Sequence, residues 1–105
     1  MSTPLTSRQR AHLKSLAHEL SPVVLVGSDG LTPGLHSAVD KALTDHELIK
    51  VRLGQSFLDP RKPAAAQIAG DVEAALVQLI GRVIILYRPR SPKDPRKLPS
   101  IRLPS

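Results

Sequence analysis

Leu13, Leu16, Ala17 and Leu20 recur at the i, i+3, i+4, i+7 spacing of one helical face, which predicts a first helix over residues 7–20 with Thr6 or Ser7 as its N-cap. Arg10, Lys14 and His18 stand four apart and form a stripe on the opposite, solvent side. Ser21-Pro22 stops this helix. The continuous apolar run at 23–26 predicts a strand covered on both sides or central in a sheet, ending at Gly27. Thr32 can cap a second helix with Pro33 at its first position, a buried stripe of Leu35, Ala38, Val39, Ala42 and Leu43, and an end at His46 or Glu47. Residues 48–53 then alternate, with Ile49, Val51 and Leu53 facing one way and Lys50 and Arg52 the other, as in a half-buried strand with a basic outer face.

Residues 54–63 read as a loop, and Ile68, Val72, Ala75, Leu76 and Leu79 mark a third amphipathic helix that ends at Gly81. The apolar stretch 83–87 predicts a third strand. Five prolines fall in the last seventeen residues, so in the basic tail 89–105 only residues 97–103 could pair, with an edge strand at 101–103. Strands alternating with helices imply right-handed crossovers and a largely parallel sheet. The alternation at 48–53 argues against a second helical layer, which leaves two layers, three helices covering one face and a partly open sheet face.

The 105 residues, 41% of them hydrophobic, suffice for one domain with a modest core. The chain has no cysteine, which excludes disulfides, thiol nucleophiles and thiolate zinc sites. No apolar run approaches the ~20 residues of a membrane span, and the first ten residues lack the apolar region of a secretory leader, so a cytoplasmic location is expected. The net charge of +6 is unevenly spread: both termini are basic while residues 15–81 carry more acids than bases. Basic ends flanking a more acidic middle suggest a binding surface for nucleic acid, the bland alternative being solubility alone.

Catalytic candidates are poor. His36 and Asp40 are one helical turn apart, as many solvent-exposed pairs are, and His12, His18 and His46 share no metal-ligand spacing. Walker and dinucleotide motifs are absent, so the chain is expected to be no enzyme, with no cofactor, metal or small-molecule substrate. The loop Gly27-Ser28-Asp29-Gly30 joins a strand to a helix N-terminus, where glycines allow close backbone approach and the helix dipole suits a phosphate. It reads equally as a tight turn that binds nothing, and the Asp29 carboxylate would repel a phosphate. With Phe57 and Tyr87 as its only aromatics, the chain cannot build a base-stacking platform, so RNA binding must rest on phosphates, groove shape and backbone amides. The basic inventory is Arg8, Arg10 and Lys14 on the first helix, Lys50 and Arg52 on the second strand, and Arg88 and Arg90 after the third. The first helix, the glycine loop and the end of the third strand are expected to converge on one edge.

The order of motifs resembles a known family. The blocks are Leu5-Thr6-Ser7-Arg8-Gln9-Arg10; Pro22-Val23-Val24-Leu25-Val26-Gly27-Ser28-Asp29-Gly30-Leu31-Thr32; His46-Glu47-Leu48-Ile49-Lys50-Val51; Val77-Gln78-Leu79-Ile80-Gly81; and Leu86-Tyr87-Arg88-Pro89. Together they are similar to a stand-alone CRM domain (chloroplast RNA splicing and ribosome maturation) of the bacterial YhbY type. The resemblance implies an α/β two-layer open-faced sandwich, a four-stranded mixed sheet with three helices, like the C-terminal domain of bacterial translation initiation factor three. It implies one RNA-binding domain over 1–105, with its core at 5–88. Bacterial members associate with precursors of the large ribosomal subunit, so the expected partner is large-subunit rRNA or a pre-ribosomal particle, bound by a monomer away from any membrane. The resemblance places the family's glycine loop on Gly27, Ser28, Asp29 and Gly30 and its basic surface on Arg10, Lys14, Lys50 and Arg88. The competing reading is a protein-docking adaptor that uses an exposed sheet edge.

Overall fold

The computed structural model describes residues 5–90 and 101–104. In chain order the elements are α1 (Ser7–Ala17), β1 (Val24–Val26), α2 (Pro33–His46), β2 (Leu48–Leu53), α3 (Arg61–Asp71), β3 (Ala75–Ile80) and β4 (Val83–Tyr87). The strands form one sheet in the order β1-β2-β4-β3. This is the mixed four-stranded, three-helix open sandwich that the resemblance implies; the largely parallel sheet read from periodicity is corrected. Only β1 and β2 are parallel, whereas β2–β4 and β3–β4 are antiparallel.

Local chemistry explains most of the boundaries. Thr6 caps α1 in a capping box: its hydroxyl accepts from the Gln9 N–H at 3.0 Å while Gln9 Oε1 accepts from the Thr6 N–H at 3.1 Å. The helix stops at Ala17 rather than Leu20, so Leu16 and Leu20 are half-exposed and only Leu13 and Ala17 are buried. Thr32 Oγ1 accepts from the Leu35 N–H at the start of α2, with Pro33 at the first position. Its buried stripe is Leu35, Val39 and Leu43, while Ala38 is exposed.

The third helix is shorter than its periodicity suggests, and Ala75–Ile80 is a strand. Glu73 takes a left-handed φ of 55°, the Ala74 N–H bonds back to the Ala69 carbonyl, and the Glu73 N–H to that of Gly70. This is a Schellman ending with glutamate where glycine is usual. Apolar residues continuing at helical spacing hide it, since Ala75, Leu76 and Leu79 suit a strand as well as a helix. Gly81 does not cap a helix; with φ 57° it opens the two-residue hairpin between Ile80 and Val83, which pair. A bulge at Leu76–Gln78 turns both Val77 and Gln78 toward one face.

Helices lie on both faces, another departure from expectation. On the inner face α2 and α3 enclose Val26, Ile49, Val51, Leu53, Ile84 and Leu86, with Phe57 beneath the loop after β2. On the outer face α1 covers only one end, where Leu13 and Ala17 meet Leu48, Val77, Ile85 and Tyr87. The outer face beyond α1 stays open and carries Lys50, Arg52, Ile80 and Val83. Residues 23–26 are not central: β1 is a three-residue edge strand, and Leu25 is 65% exposed beside its register partner Arg52. Residues 101–104 join no ladder; Ile101 and Leu103 pack with the α1 cluster, and the Pro104 carbonyl accepts from Gln9 Nε2 at 3.1 Å. The edge strand expected at 101–103 is therefore absent, and residues 91–100 and 105 of the basic tail lie outside the described residues.

Candidate nucleic-acid interface

Register fixes which cations can act together. At one end of the sheet Val26 pairs with Leu53 and Arg52 with Val83; at the other Leu48 pairs with Tyr87. The glycine loop follows Val26 and Arg88 follows Tyr87, so loop and arginine lie at opposite ends of the sheet. The expected convergence of the glycine loop with the end of the last strand does not occur.

Arg88 and Arg90 are committed to the fold. Arg88 Nη1 lies 2.7 Å from Asp40 Oδ1 and donates to the Val72 carbonyl, while Nη2 donates to the Asp40 carbonyl and Thr44 Oγ1. Arg90 Nη2 donates to the Asp45 carbonyl, and its Nε stands 3.6 Å from Oε1 of Glu47, which is 1% exposed. Glu47 caps α2 at φ 64°, and its Oε2 accepts from the Ile101 N–H at 3.3 Å. These arginines hold α2, the end of α3 and the chain after β4 together. His36 and Asp40 do not pair: His36 Nε2 meets Asp71 Oδ2 at 3.0 Å, joining α2 to α3, and Asp40 serves Arg88.

Arg10 is also structural. Its Nη1 donates to the carbonyls of Leu76 and Val77 at 2.6 and 2.5 Å, which satisfies the bulge in β3. Arg8, Lys14 and Arg52 are exposed. Lys50 Nζ donates to the Leu20 carbonyl at 2.9 Å and so fixes its charge beside α1. Lys14, His18 and Lys50 line a groove of about 370 Å³ between α1 and the open outer face, closed below by Gln78, Ile80, Val83 and Ile85. No carboxylate among the described residues lines it.

The glycine loop is a hydrogen-bonded turn, with the Gly30 N–H bonded to the Gly27 carbonyl at 3.1 Å and Gly30 at φ 72°. Gly27, Ser28 and Asp29 are exposed. The α2 N-terminus behind it offers few free donors, because Pro33 has no N–H and that of Leu35 is taken by Thr32. Sequence reasoning missed Arg82, whose Nη1 donates to the Gly54 carbonyl, and Arg61, whose Nη1 donates to that of Gly81. Both place charge at the sheet end from which the glycine loop leaves. Only the hairpin turn at Gly81, had it been recognised, pointed to them.

Residues 5–88 match the CRS1 / YhbY (CRM) domain family. An "RNA-binding protein" of Haemophilus influenzae is 41% identical over 87 residues, 83% of this chain and 88% of that protein. A "Probable RNA-binding protein" of Pseudomonas aeruginosa is 38% identical over 97 residues, 92% of each chain. The solution structure of a hypothetical protein from Staphylococcus aureus superposes with a TM-score of 0.74 at 34% identity, over 96% of this chain and all of that one. A family match spanning most of the chain, relatives above 30% identity and a shared topology lead to one conclusion: this chain belongs to the CRS1/YhbY family of CRM domains.

Proposed function

We propose that this protein is a non-enzymatic RNA-binding factor that acts in large ribosomal subunit assembly, gripping structured rRNA through its phosphates. The observation that carries this reading is the sorting of its cations. Arg88 and Arg90 are held by Asp40, Asp45 and Glu47 at one end of the sheet, whereas Lys14 and Lys50 line a groove with no carboxylate among the described residues, and Arg52 is exposed on the same sheet face beside Val83. Relatives named for RNA binding support it. The large-subunit target rests on the family resemblance alone. Phe57 and Tyr87 are both buried, so neither can stack a base, and phosphate and shape contacts carry the binding.

The test is affinity across a salt series for large-subunit rRNA, a length-matched scrambled RNA and duplex DNA. Lys14→Gln and Arg52→Gln should each flatten the plot of log K against log salt by about 0.7–0.9, the contribution of one phosphate contact. Arg90→Gln should leave it unchanged. Undetectable binding at low salt would sink the reading. A second reading, protein docking, is favoured by the apolar cleft between α1 and β1 lined by Leu16, Leu20, Val23 and Ile101. A partner retained after nuclease treatment would support it.

A further inference from the structure

We propose that the groove between α1 and the open outer face receives one unpaired nucleobase of the bound RNA. The inference rests on the RNA-binding reading and adds to it a site and a class of ligand. Gln78 pairs with Ile85 and Ile80 with Val83, so these four side chains share the outer face of two neighbouring strands. Ile85 is buried in the α1 cluster, which leaves Ile80 and Val83 as the open apolar tile, about 5 Å across the strands and within the span of a single base. Ile80 is 54% exposed although it lies amid cations. A base laid on the tile would shield this apolar surface and gain dispersion contacts from aliphatic side chains.

The fourth side chain supplies the polar handle. Gln78 Oε1 is buried at the groove floor with no hydrogen-bond partner among the described residues, and a turn of this side chain would present its amide donor and acceptor to the edge of a base. That edge is free only in an unpaired nucleotide, which selects loops and bulges over continuous duplex. Lys14 and His18, one turn apart on α1, stand over one side of the tile. Lys50, pinned by the Leu20 carbonyl, gives a fixed positive charge for a flanking phosphate. Charge complementarity therefore names a polyanion carrying a flat apolar group as the occupant.

The test uses the full chain and an RNA hairpin with a single 4-thiouridine in its loop, against a continuous RNA duplex of equal length. Photocrosslinks should map to residues 76–88. Gln78→Ala and Ile80→Ser should each weaken hairpin binding about fivefold or more, the low end for a base contact, with the salt slope unchanged and duplex affinity altered by less than about twofold. Should Ile80→Ser fail to fold, Gln78→Ala and the wild-type crosslink still decide. Crosslinks only outside that segment, or equal losses on hairpin and duplex, overturn the assignment while leaving RNA binding intact. Failure of the wild-type chain to bind either RNA overturns both.

Discussion

The Arg10 guanidinium reaches from α1 to the β3 bulge and donates to the Val77 carbonyl at 2.5 Å, so a cation that looks like part of a binding surface holds the outer layer onto the sheet. Its second acceptor is the Leu76 carbonyl. Arg10→Ala should cost about 1–3 kcal/mol, because two part-buried carbonyls lose a charged donor. Lys14→Ala, one turn away and exposed, should change stability by less than about 0.5 kcal/mol. Urea unfolding of the two variants checks this; equal losses would place Arg10 in the solvated stripe.

Glu73 ends α3 in the left-handed region at φ 55° with its side chain exposed. Glycine avoids the Cβ clash at that φ, so Glu73→Gly should stabilise the fold by about 0.5–1 kcal/mol after the added freedom of the unfolded chain is counted. A lowered melting temperature would contradict the assigned helix ending.

The glycines separate function from folding. A Cβ at Gly27 meets nothing within 4 Å, so Gly27→Ala should leave stability within about 0.5 kcal/mol while testing whether RNA backbone approaches the loop. A Cβ at Gly54 would stand 3.0 Å from the Val26 carbonyl oxygen, a backbone atom that cannot easily move. Gly54→Ala should therefore cost about 1–3 kcal/mol. Parallel thermal melts and RNA titrations distinguish the two effects.

Burial, and secondarily the Glu47 carboxylate, raise the Tyr87 phenol above its ordinary 10.0. The folded state thus holds this proton more tightly than the unfolded chain does. The resulting stability is fully present below about pH 10 and is lost as pH rises through the folded value. Tyr87 is the chain's only tyrosine, so phenolate absorbance reports it alone, with an expected midpoint above 10. Tyr87→Phe should lose less stability than wild type between about pH 9 and about pH 11. A midpoint at or below 10 would refute the shift.

Much of the architecture was legible because it is written locally. Thr6 with Gln9, and Thr32 with Pro33, carry their helix starts in their own side chains; the alternation from Leu48 to Leu53 carries its strand. The chain from Ala75 to Ile80 was not legible. Its apolar spacing satisfies helix and strand alike, and what decides is the ladder that β4 offers across the Gly81 turn together with an αL ending that glutamate disguises. The position of β1 is likewise non-local: four apolar residues in a row look central, yet nothing in them records that β4 rather than β1 occupies the middle of the sheet.

The sequence by itself determined the balance of charge, the scarcity of Phe, Tyr and Trp, the lack of thiols, the glycine loop and the resemblance to the CRM family, since these depend only on which residues are present and in what order. Only the tertiary structure decided which cations are available. Arg10, Arg88 and Arg90 are indistinguishable in the sequence from Lys14 and Arg52, because a charge is spent or left free according to the carbonyls and carboxylates that folding brings to it from distant segments: Val77 to Arg10, Asp40 to Arg88, Glu47 to Arg90.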